Sequence, residues 1–130
     1  MDTISVRTSS RVEFVEITPQ VRQWLKDQQA TSGVLTLYVP HTTAAVTINE
    51  HADPSVVQDI TKELNKVIPF DDNFRHLEGN AAAHIKSSLV GASLQVIVEG
   101  GDLVLGTWQG IFFAEFDGPR SRKVYLKLVA

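Results

Sequence analysis

The chain contains no cysteine. Disulfides, thiolate metal sites and cysteine nucleophiles are therefore excluded, and a transition metal would have to be held mainly by imidazole and carboxylate. No apolar window approaches the length needed to span a bilayer. The N-terminus, Met1-Asp2-Thr3-Ile4-Ser5-Val6-Arg7, lacks the basic segment and apolar run of a secretory signal. The expected location is cytoplasmic, with no membrane partner. Positive charge is not in excess either: twelve Lys+Arg against fifteen Asp+Glu give a net charge of −3. That argues against nucleic acid as a partner, because phosphate backbones reward a basic surface. No Gly-rich phosphate loop follows a strand, and nucleophile-elbow, zincin and EF-hand patterns are missing. No Pro/Ser/Gly-rich linker or internal repeat divides the chain. A length of 130 residues with 43% hydrophobic content reads as a single domain, 1–130, able to bury a core without staples.

What is present alternates, mostly with period two. Residues 3–17 read as two strands or a long hairpin with its turn at Thr8-Ser9-Ser10-Arg11. Thr18-Pro19 opens a helix, Thr18 as cap and Pro19 at the first helical position, with Val21, Trp24 and Leu25 on its inner face. Residues 34–39 form a strand ended by Pro40, and 43–49 a second. There Val46 and Ile48 share one face, while Thr43, Ala45, Thr47 and Asn49 share the other, either lining a site or facing solvent. Asp53-Pro54 repeats the cap-and-proline signal and predicts a helix to Val67 with Val56, Val57, Ile60, Leu64 and Val67 as its stripe. Asn80 caps a third helix over 81–90, closed by Gly91, with Ile85 and Leu89 inward. Strands follow over 93–98, 103–105, 111–116 and 122–129. About eight strands and three helices, with strands clustered at both ends, predict an α+β fold with a largely antiparallel sheet or sandwich.

The chemistry concentrates in Arg75-His76-Leu77-Glu78-Gly79-Asn80-Ala81-Ala82-Ala83-His84, where two imidazoles, a carboxylate and an amide flank a glycine. A third imidazole, His41, leads His41-Thr42-Thr43. Three histidines suffice to hold a metal with one position open, or each is an ordinary hydrogen-bonded side chain. Glu78 reads as general base or as partner to a metal ligand. Asn80 is first of all a helix cap. Arg120 in Asp117-Gly118-Pro119-Arg120 suits a phosphate or carboxylate. Lys86 adds positive charge or is simply a surface lysine. Trp108, between Gly106 and Gly110, would cover a ring, plug the core or meet another subunit. His51 is expected to be exposed.

Five blocks in order carry a resemblance over essentially the whole chain: Pro40-His41-Thr42-Thr43-Ala44-Ala45, Asn49-Glu50-His51-Ala52-Asp53-Pro54, His76 to Lys86, Gly106-Thr107-Trp108-Gln109-Gly110 and Glu115-Phe116-Asp117-Gly118-Pro119-Arg120. Together they resemble the YjbQ-like family, often labelled secondary thiamine-phosphate synthase. The resemblance implies an α/β sandwich assembled as a homotrimer, with a site near a subunit interface. It implies His41, His76 and His84 as metal ligands, and an activity that joins an aminopyrimidine diphosphate to a thiazole phosphate. Glu78 and Arg120 are then the expected catalytic groups. Thr43, Asn49, Asn80, Lys86, Trp108 and Arg120 are expected to bind a small phosphorylated or anionic metabolite. The ligand type points to zinc, and magnesium belongs only if the synthase reaction is genuine. The alternative is a non-catalytic trimeric protein that binds a metal or metabolite.

Overall fold

The computed structural model describes residues 1–130. Eight strands and three helices follow in the order β1 (Asp2–Arg7), β2 (Glu13–Glu16), α1 (Thr18–Gln28), β3 (Gly33–Tyr38), β4 (Ala44–Glu50), α2 (Pro54–Val67), α3 (Ala81–Val90), β5 (Ser93–Glu99), β6 (Asp102–Leu103), β7 (Gln109–Glu115) and β8 (Ser121–Val129). They build a five-stranded sheet, β1-β8-β3-β5-β6, and a three-stranded sheet, β2-β7-β4, with every strand pair antiparallel. The fold is α+β, as the element pattern predicts.

Period-two alternation explains the layers. Val6, Leu35, Leu37, Val96, Val98, Val124 and Leu126 from the larger sheet meet Ala44, Val46, Ile111 and Phe113 from the smaller, with Val21 and Leu25 of α1 closing the core. The opposite face of the smaller sheet carries Ala45, Ala114 and nearby Phe116 against Ala83 of α3, with Leu64 of α2 alongside. The face of β4 that holds Thr43 and Ala45 is therefore covered by helices rather than solvated. No helix is long and apolar enough to cross a membrane.

Three local expectations are corrected. Residues 3–17 form two strands, one of the two readings, but not the hairpin: β1 pairs with β8 and β2 with β7, in different sheets. The presumed turn crosses between them, tied by Thr8 N–H to the Arg120 carbonyl at 2.9 Å. Thr18 is not the cap of α1, since Ile17 occupies that position. The Thr18 hydroxyl instead donates to Glu16 at 2.8 Å and accepts from Ile111 N–H at 2.8 Å, joining the helix to both flanking strands. In α3, Ile85 and Leu89 point outward, Leu89 being 68% exposed, while Ala82, Ala83, Lys86 and Ser87 are buried. Small side chains let the helix lie close on Ala45, which two branched residues would prevent.

The start of α2 follows its signal. Pro54 opens the helix and the Asp53 carboxylate accepts from Ser55 N–H at 2.9 Å. Hydrogen bonding from the Ser55 side chain, then from its backbone N–H, holds the Asp53 carboxyl below its ordinary pKa. Asp53→Ala is expected to lower the urea midpoint, while Asp53→Asn, an equally good cap, stays near wild type. Equal loss in both variants would show that charge, not capping, matters here.

Candidate functional site

The site lies at the end of the smaller sheet where β4 begins and β7 ends. The Ala44–Glu115 register pair places the 40–43 loop beside the 116–120 turn, and Phe116 N–H donates to the Thr43 carbonyl at 3.2 Å. The N-terminus of α3 closes the third side. Beneath them lies a buried ion pair. Glu115 is fully buried and Arg122 is 5% exposed. Arg122 Nε donates to Glu115 Oε1 at 2.8 Å, and its Nη2 donates to Glu115 Oε2 at 2.5 Å and to Thr43 Oγ1 at 2.9 Å. Glu115 also accepts from the Thr8 hydroxyl at 2.7 Å and from Asp117 N–H at 3.0 Å. Burial alone would raise the Glu115 pKa, but these hydrogen bonds outweigh it and hold the carboxyl below its ordinary range.

Above this pair opens a cleft of about 380 Å³ with no hydrophobic lining residue. His41, Thr42, Thr43, Glu78, Asn80, His84, Asp117, Arg120 and Arg122 face it. His41 Nε2 accepts from Lys123 N–H at 3.0 Å. In the neutral ring this bond assigns the proton to Nδ1. Burial, then the charge of Arg122, lowers the His41 pKa, which keeps the ring neutral near pH 7. His41 is thus arranged as a hydrogen-bond donor rather than a base. Asn80 Nδ2 donates to Asp117 Oδ2 at 2.9 Å. Flipping the amide would set two oxygens together, so Asn80 Oδ1 points away, and it is buried with no partner. Arg120 leans on the same aspartate, its Nε donating to the Asp117 carbonyl at 2.7 Å and its Nη2 to Oδ2 at 3.1 Å. His76 and His84 meet edge to face, ring centroids 5.2 Å apart, and Glu78 lies 3.7 Å from His76 Nε2. A second opening, about 400 Å³, lies on the far side of His41 and His84, against Ser87 and Ser88.

The fold gathers His41, Thr43, Glu78, Asn80, His84 and Arg120 in one cleft, and His76 stands behind His84. Asn80 sits at the cap position of α3 as expected but makes no side-chain cap bond, because its amide is engaged with Asp117. Three residues expected in the site, Asn49, Trp108 and Lys86, lie elsewhere. Asn49 and Trp108 belong to the other end of β4 and β7, where Glu50 pairs with Gln109. Six residues of strand separate the two ends, roughly 20 Å. Asn49 there accepts from Glu50 N–H at 2.7 Å, and Trp108 is 63% exposed. Lys86 is neither a surface lysine nor a wall of the cleft. It is fully buried, donating to Asn65 Oδ1 at 2.5 Å, with its Nζ 3.9 Å from the Phe70 ring centroid. His51 is exposed as expected, yet its Nδ1 is 2.7 Å from Glu16 Oε2. Arg122, Glu115 and Asp117 were not singled out by spacing. The available signal was a carboxylate set among aromatic residues in Phe112-Phe113-Ala114-Glu115-Phe116, which demands a buried partner. Residues of the donor types that suit zinc are close here, but no three His, Asp or Glu side chains form a metal-binding group as they stand. The Nε2 lone pair of His41 is already engaged.

The family model for UPF0047 protein YjbQ-like matches residues 2–130. A UPF0047 protein of Methanocaldococcus jannaschii is 54% identical over 124 residues, which cover 95% of this chain and 90% of that one. The UPF0047 protein YugU of Bacillus subtilis is 51% identical over 130 residues, 99% of this chain and 98% of the relative. A crystal structure of a YjbQ/UPF0047-family protein from Clostridium acetobutylicum superposes with a TM-score of 0.97 at 48% identity, covering 99% of this chain and all of that one (100%). With a family model spanning nearly every residue, and with relatives matched at half identity along nearly their whole lengths, the chain belongs to the YjbQ-like UPF0047 family.

Proposed function

We propose that the protein is a small-molecule enzyme that binds a polar, anion-bearing metabolite in the cleft above the Glu115–Arg122 pair and moves a proton there. The observation that carries this reading is the convergence of His41, Thr43, Glu78, Asn80, Arg120 and Arg122 on one cleft with no hydrophobic lining residue. His41 donates through Nδ1–H to an oxygen on the ligand. Glu78 is the base, being exposed and held only by the 3.7 Å approach of His76. Arg120, oriented by Asp117, sits where an anionic group passes. Purified protein is to be screened against phosphorylated metabolites. Glu78→Gln is expected to keep ligand affinity and lose about a hundredfold in turnover. Binding with no turnover in wild type favours the non-catalytic alternative.

The finer assignment is a transfer of the thiamine-phosphate synthase type, joining an aminopyrimidine diphosphate to a thiazole phosphate with release of pyrophosphate. Its support is family membership and the arginines of the cleft. The lining has no aromatic ring beyond imidazole, so recognition of the two heterocycles rests on hydrogen bonds. Product formation that persists in Arg120→Ala sinks this assignment. A divalent ion, zinc by donor type, is a separate element of the proposal. The side chains would have to rearrange to hold it, so no chemical step is routed through it. Elemental analysis is expected to find stoichiometric metal in wild type and loss in both His76→Ala and His84→Ala; no metal after reconstitution overturns it.

The proposed assembly is a homotrimer. Its support is the outer face of the larger sheet, where Val34, Tyr38, Ile97 and Val129 stay exposed and Tyr38 stacks on Tyr125 at 6.4 Å. A monomer mass by light scattering at micromolar concentration would exclude it.

A further inference from the structure

Residues 69–79 carry His76 and Glu78 between α2 and α3, and the fold does little to hold them. No residue of this segment makes a backbone–backbone hydrogen bond. One side-chain hydrogen bond reaches it, from Arg11 Nη2 to the Gly79 carbonyl at 3.2 Å. The next tie lies beyond its end, where Asn80 donates to Asp117. His76 and Glu78, 3.7 Å apart, are both exposed. A stretch of this length with neither ladder nor helix does not by itself keep a carboxylate in one place.

Arg11 supplies the restraint. It belongs to the crossing between β1 and β2, and its own carbonyl accepts from Gly118 N–H at 3.0 Å. The residue is thereby fixed to the turn that brings Asp117 and Arg120 to the cleft. From there its guanidinium reaches both ends of the segment. It lies over the Phe70 ring, 3.6 Å from the centroid, and donates to Gly79 at the other end. A planar guanidinium does both at once, its face on a ring and an N–H edge on a carbonyl. Lys86 meets the same ring at 3.9 Å, so residue 70 is held from α3 as well. Gly79 has no hydrogen bond other than the one from Arg11.

We propose that Arg11 is a positioning residue of the site: it clamps Phe70 and Gly79 to the 117–120 turn and so fixes where Glu78 and His76 stand. The inference rests on the reading that Glu78 acts as the base in the polar cleft. Arg11 does not itself line that cleft. Its effect is carried along the chain, through the peptide bond that joins Glu78 to Gly79. A displacement of about 1 Å in a reacting group is worth about a hundredfold in rate, so an arginine outside the site matters to the chemistry inside it.

Backbone amide relaxation by NMR, with the imidazole signals of His76 and His84, tests the clamp without a substrate. In wild type, residues 74–79 are expected to be ordered, with order parameters of about 0.8. Arg11→Gln is expected to lower them below about 0.6 while the strands keep theirs. The edge-to-face contact of His76 on His84 should loosen with the segment and move the ring signals of both. Arg11→Lys keeps a cation for Phe70 without the planar fork, and is expected to recover part of the order. Arg11 is exposed, so the variants should melt like wild type. Unchanged order and unchanged imidazole signals in Arg11→Gln overturn the assignment, as does a segment already mobile in wild type. Loss of order spread over the whole chain overturns it too, since Arg11 is then an ordinary structural residue. None of these measurements reads turnover. The clamp can therefore fail while the role of Glu78 stands, and full turnover in Glu78→Gln removes that role while leaving the clamp.

Discussion

Glu115→Ala is expected to be the most damaging single change in the protein, lowering stability by about 3–5 kcal/mol in urea denaturation. The carboxylate is fully buried and takes hydrogen bonds from Arg122, Thr8 and Asp117 N–H. Removing it leaves the Arg122 guanidinium charged, dry and unpaired. A double Glu115→Met/Arg122→Met variant is expected to recover more than half of the loss, since replacing both members with apolar groups avoids the orphaned charge. The pair also has a pH signature. The Glu115 pKa is held below its ordinary 4.5 in the folded state. A depressed carboxylate adds stability above its unfolded pKa, and that stability is lost as pH falls through the folded value. Wild type should therefore lose stability relative to the double variant below about pH 4.5. Parallel curves in that range would remove the pair from the list of acid-sensitive groups.

Lys86 is expected to act with the opposite slope. Burial, then the charge of Arg11, lowers its pKa from 10.5 to about 8. Between those values the unfolded chain keeps its proton while the folded chain has lost it. Stability then rises with pH across that window, and at neutral pH the folded state carries the whole burden of a buried ammonium. The wild type is expected to gain up to about 3 kcal/mol relative to Lys86→Met between pH 7.5 and 10.5. A difference that stays constant over that range would falsify the assignment. The ammonium is retained for positional reasons that the geometry makes plain. Phe70 lies between two cations, Arg11 at 3.6 Å and Lys86 at 3.9 Å from the ring centroid. Arg11 also donates to the Gly79 carbonyl at 3.2 Å. Lys86 and Arg11 together tie down the ends of the segment that carries His76 and Glu78.

The parts of the fold that were legible depend on near neighbours. The Asp53-Pro54 start of α2 and the Gly91 end of α3 are local events, written within four residues. So is the alternation of β3, β5 and β8. The separation of β1 from β2 was not legible, since both strands alternate alike and their partners, β8 and β7, lie about a hundred residues away. The inner face of α3 was misread for a related reason. Hydrophobicity favours Ile85 and Leu89, but the helix approaches β4 so closely that only alanines fit, and a lysine is buried because Asn65 and Phe70 receive it.

The sequence by itself determined the element types, the α+β class, the family and six residues that share the cleft: His41, Thr43, Glu78, Asn80, His84 and Arg120. These are properties of composition, short spacing and ordered blocks, which survive without coordinates. Only the tertiary structure decided that Asn49 and Trp108 stand at the other end of the sheet, and that Arg122 and Glu115 form the floor of the site. It also decided that His41 faces the cleft as a donor, its acceptor nitrogen being held by Lys123 N–H. The reason is strand register. Which residue of β8 lies beside which residue of β1, and which end of β7 meets the start of β4, follows from long-range pairing that no local pattern encodes.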